Sequence, residues 1–402
     1  MQPNFTLKKS GRFLKVVPML FVLFCLFAGK ANSQCVWATS TVYPIPVMDQ
    51  AVVTVGANLY SFGGVSNSVV IATSNRFDGA GWTSIAPTPI ALEYPAAVTD
   101  GTNAYILGGA NSVGASTNGL YRYNVGTNTY TTLASFTVGT WNPAAVFLNG
   151  KIYKIGGVAA APTNVVEIYD IVTNTWTLGA NYPQSLGFMS AYAQGNFIYV
   201  AGGIGAASST KTYRYDPLAN TWDDAAMADL PASRWGAASG FYNGGFVMAG
   251  GYVSDAISAT AITWDMVSNS WTNLPSMPAI RARMGGAALG PNFFQIGGRL
   301  ANNFVGTNSN HRLNCIPLAP CAGTPTPGNT LSTANPACPN APFILSTQVT
   351  PASGLTYQWQ SSPNGLAPWT NMGLGATQTT SQTVATFYRA IVTCGANSAT
   401  ST

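Results

Sequence analysis

Six glycine pairs recur along this chain at near-constant intervals, and each closes a run that reads as a β-strand. The runs are LYSFGG, AYILGG, KIYKIGG, FIYVAGG, GFVMAGG and FFQIGG. The pairs begin at Gly63, Gly108, Gly156, Gly202, Gly250 and Gly297, so the spacings are 45, 48, 46, 48 and 47 residues. A period of this length marks a supersecondary unit that buries its apolar faces by packing on copies of itself. Runs such as Ile152 to Ile155 are apolar on both faces, as in strands covered from two sides. Hairpin signals precede several of them: Asn149-Gly150, Asp100-Gly101 and Asn243-Gly244. Each glycine pair is then expected to end the second strand of its unit, where the chain turns and neighbouring backbone approaches closely.

After each pair comes an aromatic or apolar residue followed by Asp or Asn: Phe77-Asp78, Tyr123-Asn124, Tyr169-Asp170, Tyr215-Asp216, Trp264-Asp265 and Leu313-Asn314. Trp82, Tyr130, Trp176, Trp222 and Trp271 follow in the first five units. This order resembles the kelch repeat. Over Cys35 to Ile316 the resemblance implies an all-β, six-bladed kelch β-propeller with four strands to a blade. The sixth unit lacks its Trp, and the missing one is at the other end. Trp37 lies 26 residues before Gly63, as Trp82, Tyr130, Trp176 and Trp271 lie before the pairs that follow them. The N-terminal strand should therefore close the last blade and leave no open sheet edge in the ring.

Residues 1–33 read as a secretory signal. Lys8, Lys9, Arg12 and Lys15 precede an apolar run from Val16 to Ala28, and Ala31-Asn32-Ser33 forms a small-residue cleavage site before Gln34. Gln34 stands where a lipoprotein signal would place a small residue ahead of Cys35. Five of the 17 basic residues leave with this segment, and the 12 that remain balance the 12 acidic ones. The basic character of the whole sequence thus belongs to the signal and points to no nucleic-acid partner. No later hydrophobic run is long enough for a transmembrane segment. Secretion or display at the cell surface is the expectation.

The boundaries that follow are 34–316 for the propeller, 317–328 for a Pro/Gly-rich linker (PLAPCAGTPTPG), and 329–402 for a second module. In that module Cys338, Trp359 and Cys394 occur in the order of an immunoglobulin-like sandwich, which the segment resembles. It reads as C-terminally incomplete, because one more strand is due after Cys394. The resemblance implies a Cys338–Cys394 bridge with Trp359 packed on it and Cys321 left over. In the propeller, Cys35 and Cys315 take the places of Asn174 and Ile171 in the complete repeat YDIVTNTW. Positions three apart across a turn lie within about 7 Å, so a Cys35–Cys315 disulfide should clasp the ring.

The composition excludes much chemistry. A single histidine, His311, falls on an outer strand and is read as structural. The copper site of galactose-oxidase-like kelch relatives needs two histidines and is ruled out, as are most His-based metal and triad sites. No cysteine spacing reads as zinc, and GIGAAS after Gly202 lacks the lysine and helix of a phosphate loop. No metal and no cofactor are expected.

Aligning the units on their glycines gathers one set of residues per blade at the approach to the innermost strand. They are Asp49, Glu93 with Tyr94, Trp141 with Asn142, Phe188, Arg234 with Trp235, and Arg283. Aromatic faces for stacking beside charged groups for hydrogen bonding suit a sugar site. The alternative is that these residues plug the channel and pair with one another. Long polar loops after the glycines, such as NSVGASTNG and LANNFVGTNSN, suit recognition. The expected function is binding of a glycan or a surface protein. The competing class is a carbohydrate-active enzyme, either hydrolase-like through Asp49 and Glu93 or similar to the sialic-acid mutarotase among kelch relatives.

Overall fold

The computed structural model describes residues 33–317, 320–349 and 352–402. The signal expected over 1–33 lies outside the described residues except for Ser33. Two compact units divide the described chain, one ending at Ile316 and one beginning at Pro317.

The larger unit holds six four-stranded antiparallel sheets among the described residues. The first is built of Ala51–Val55, Asn58–Phe62, Ser74–Phe77 and Trp82–Ile85, in that order. The next four repeat this meander, and their innermost strands are Ala96–Thr99, Ala144–Leu148, Ser190–Gln194 and Ala238–Tyr242. The sixth comprises Gly285–Leu289, Asn292–Ile296 and Asn310–Pro317, and its outer strand is Ser33–Thr39 from the other end of the chain. The innermost strands neighbour one another in a closed cycle, the sixth packing against the first. Cys35 and Cys315 are joined by a disulfide across the seam.

Second strands are the most deeply buried, as their two-sided apolar runs require. Ile152, Tyr153, Lys154 and Ile155 are all buried, and Lys154 is neutralised by Glu167 on the next strand at 2.9 Å. The outer-strand aromatics tie each sheet to its predecessor. Trp176 donates from Nε1 to the Ala134 carbonyl, Trp222 to Ala180, Trp271 to Ala228, and Trp37 to Pro275. The preceding Tyr acts through a neighbour: Tyr169 and Tyr215 donate to Asn174 and Asn220, whose side chains accept from the Ala134 and Ala180 amides. His311 is half-buried on its outer strand with Nδ1 on Gln295 at 3.0 Å, and burial lowers its pKa.

The glycine pairs form an interlock between sheets. The second glycine of every pair donates its amide to a carbonyl of the next sheet's approach loop: Gly64 to Leu92, Gly109 to Thr140, Gly157 to Leu186, Gly203 to Arg234, Gly251 to Arg281, and Gly298 to Val47. At Gly202 the need for glycine is plain. Its φ is +65°, and a Cβ there would stand 2.1 Å from the Arg234 carbonyl oxygen.

The smaller unit contains a three-stranded sheet (Thr330–Ser332, Phe343–Thr347, Gln378–Thr380) and a four-stranded sheet (Thr370–Asn371, Leu355–Ser362, Phe387–Cys394, Asn397–Thr400). Both contribute to one core around the fully buried Trp359, with Phe343, Leu345, Ala390 and Val392. Three sequence expectations are corrected here. The strand thought to be missing after Cys394 is present, because Gly395, at φ +58°, turns the chain back so that Asn397–Thr400 pairs with Phe387–Cys394. Cys394 is bonded to Cys321 and not to Cys338, which is exposed with a free thiol. The cause is a parallel bridge between Pro320 and Ser353, reinforced by the Cys321 amide on the Ser353 carbonyl. It sets Cys321 beside the start of the strand whose Leu355 pairs with Cys394. The segment read as a linker over 317–328 is also tied down where it is described, Pro327 and Gly328 accepting backbone hydrogen bonds from Gln348 and Thr402.

Candidate functional site

Two positions before the start of each innermost strand the backbone takes the same conformation. Asp49, Tyr94, Asn142, Phe188, Gly236 and Arg283 all have φ between +49° and +61°. Each donates its amide to the carbonyl of its counterpart in the preceding sheet: Tyr94 to Asp49, Asn142 to Tyr94, Phe188 to Asn142, Gly236 to Phe188, Arg283 to Gly236, and Asp49 to Arg283. Six peptide groups thus close a hydrogen-bonded collar over one mouth of the channel. Five of the six are not glycine, so the collar holds side chains in a conformation that costs roughly 1–2 kcal/mol per residue. Closure of the ring sustains it.

The residue ahead of each collar position forms a second register. Met48, Glu93, Trp141, Gly187, Trp235 and Ala282 pair with Val65, Ala110, Val158, Ile204, Tyr252 and Arg299, each immediately following a glycine pair. These two registers bring together eight of the nine residues singled out in the sequence.

Aromatic side chains run as a continuous arc. Ring centroids are 5.1 Å apart for Tyr94 and Trp141, 5.6 Å for Trp141 and Phe188, and 5.3 Å for Phe188 and Trp235. Trp235 stacks on Tyr252 at 3.8 Å. Trp141, Phe188 and Trp235 are half-buried, so part of this apolar surface faces outward. A cavity of about 120 Å³ lies at the collar, lined by Asp49, Gln50, Tyr94, Asn142, Phe188 and Arg283 among others. It is too small to enclose a drug-sized ligand, which takes roughly 300 Å³ or more. A larger space of about 340 Å³ lies between the inner strands, lined by Val52, Val98, Val146, Gly240 and Ala287, on the far side of the collar.

The charged groups are held by the protein itself. Arg283 donates from Nε to Asp49 Oδ1 at 2.7 Å and from Nη2 to Oδ2, and its guanidinium lies 4.5 Å over the Tyr94 ring. Burial pushes the Asp49 carboxyl up to about 7, against the pull of Arg283 and with Glu93 raising it further. Glu93, in the second register, is raised by burial and held down by Arg283, and among the described residues no hydrogen bond to its carboxylate is found.

Arg234 is the ninth candidate and belongs elsewhere. It precedes the second register by one residue, which turns it into the fifth sheet. There Nη1 donates to the Gly250 and Thr260 carbonyls and Nη2 to Thr260 Oγ1. It braces the glycine loop, and burial lowers its pKa to about 10. Tyr252, Arg299 and Phe304 are site residues the sequence reading missed. Arg299 donates to the Tyr252 hydroxyl, to Asn302 and to the Asn303 carbonyl, and exposed Phe304 packs 5.4 Å from the Arg283 guanidinium. The available signal was the position directly after the glycine pair, which Tyr252 and Arg299 share. Among the described residues no cluster of His, Cys, Asp and Glu could hold a metal.

The kelch motif family matches residues 142–181, which run from the third collar residue Asn142 to just beyond the third outer strand. Residues 142–181 thus carry a kelch motif, within a larger unit that folds as a propeller. The fold of that propeller is similar to a solved structure, that of YjhT, with a TM-score of 0.58 and 17% identity over 68% of this chain and 96% of that one. No curated protein matches the chain. At this identity the likeness speaks for the fold, so the reading of the kelch face rests on its own residues.

Proposed function

We propose that the chain is an exported recognition protein that uses the collar face of its kelch propeller to bind a glycan, a surface protein being the other class of partner. One observation carries this reading. Arg283, Arg299 and Asp49 on the face are bonded to protein acceptors and donors, whereas Trp141, Phe188 and Trp235 keep outward apolar surface. Such a face offers stacking area at a shallow, preformed surface, which suits adhesion to a sugar ring. Two disulfides support an oxidising compartment, and no helix among the described residues is long and apolar enough to cross a membrane.

A second reading has its own support. Asp49 at about 7, with Glu93 nearby, is the kind of carboxylate pair that carries acid–base chemistry on sugars. A glycan array on the purified chain, followed by an NMR anomer-exchange and hydrolysis assay on any binder, separates the two. Binding without turnover supports recognition; turnover abolished by Glu93→Gln transfers the face to the enzyme class.

A further inference from the structure

We propose that the ligand of this face is an uncharged sugar whose hydroxyls donate to the Glu93 carboxylate while its apolar side lies on Trp141. This deepens the recognition reading above and rests on it. Glu93 and Trp141 occupy the same register in neighbouring sheets, one residue ahead of the collar, and both are half-buried. The Glu93 backbone is fixed by its pairing with Ala110, whose amide it accepts at 2.8 Å while donating its own at 2.9 Å. Among the described residues no hydrogen bond to its carboxylate is found, and Arg283 acts on it only through its charge. A carboxylate on a fixed backbone, with its lone pairs open, accepts two hydroxyls at once, which is what vicinal hydroxyls of a neutral sugar supply.

The other charge classes fit poorly. An acidic ligand meets the Glu93 charge, and it finds no arginine fork to grip. Arg283 has Nε and Nη2 on Asp49, Arg299 spends its donors on Tyr252, Asn302 and Asn303, and Arg234 faces backbone carbonyls. Binding a carboxylate at Arg283 would require breaking a buried bidentate pair. A cationic ligand needs ring faces disposed around it. Here the rings of Tyr94, Trp141 and Phe188 contact one another at 5.1 to 5.6 Å, and Arg283 already covers Tyr94. The arc is a platform and not a cage.

The test is an array of matched neutral and sialylated glycans probed with the full chain near pH 7.5. Calorimetric titration of the strongest hit against wild type, Glu93→Ala and Glu93→Gln follows. Neutral glycans are expected to be retained, with affinity reduced about tenfold or more in Glu93→Ala and less in Glu93→Gln, which keeps an acceptor but loses the charge. A thermal melt checks folding, and if Glu93→Ala does not fold, a loss of about threefold or more in Glu93→Gln carries the test. Retention of sialylated glycans alone, or wild-type affinity in both variants, overturns the proposal and leaves glycan recognition standing. An array on which no glycan of either set is retained overturns both.

Discussion

Arg283 closes on Asp49 across the seam between the sixth and first sheets, with two parallel hydrogen bonds linking residues 234 positions apart in the chain. The Asp49 amide donates to the Arg283 carbonyl at 3.0 Å, so the same two residues also complete the backbone collar. Both side chains are almost wholly buried. Replacing Asp49 by Ala strands a buried guanidinium, and a loss of about 3–5 kcal/mol is expected. Urea unfolding measures it, and a loss within about 1 kcal/mol would show that the pair is solvated in solution.

The same carboxylate gives stability a pH dependence. Its pKa rises from an ordinary 3.8 to about 7 on folding, so between these values the folded state binds more protons than the unfolded chain. The contribution is complete below the unfolded value and is lost as pH rises through about 7. Glu93 acts with the same sign, whereas Asp78, Asp100 and Asp170 are lowered and lose their contribution only on acidification. The urea midpoint should therefore fall between about pH 4.5 and 7.5, less steeply in Asp49→Asn. Equal slopes in the two proteins would contradict the assignment.

Cys35 and Cys315 enclose a separation of 280 residues. Loop-closure entropy assigns such a cross-link roughly 5 kcal/mol, so the Cys35→Ser/Cys315→Ser protein should lose up to that amount. Denaturant midpoints of the two proteins decide the matter. The double variant should also expose the outer strand of the sixth sheet to hydrogen exchange before the other sheets.

Two adjacent residues should separate cleanly in function. Trp235→Ala removes stacking surface and should weaken sugar binding by roughly 1–3 kcal/mol, the range for aromatic platforms under flat ligands. Arg234→Ala removes the donors that hold Gly250 and Thr260, so its effect should appear in thermal stability. If Arg234→Ala folded with wild-type stability and lost binding, the placement of Arg234 inside the fifth sheet would be refuted.

Alkylation of the unreduced protein followed by peptide mapping should label Cys338 and recover Cys321 linked to Cys394. A Cys338–Cys394 peptide as the main product would restore the pairing expected from the order of residues.

The repeat was legible in the chain because its signals are local: a strand, a glycine pair, an aromatic and a Trp at a steady period. Counting those signals places Trp37 with the last unit, and the structure seats its indole on Pro275. The collar residues were legible for the same reason, since alignment on the glycines carries each to an equivalent place. Direction was not. A one-residue offset separates Trp235, which faces the arc, from Arg234, which turns inward, and side chains one apart on extended backbone point opposite ways. The Cys321–Cys394 bridge lay beyond reading for a related reason: a parallel bridge between Pro320 and Ser353 joins segments with no local pattern to announce it. Which charges stay open to a ligand was likewise settled only in three dimensions. Asp49 and Glu93 are both carboxylates in the sequence, and only the closing of the ring places Arg283 against the first, while among the described residues the second has no hydrogen bond to its carboxylate.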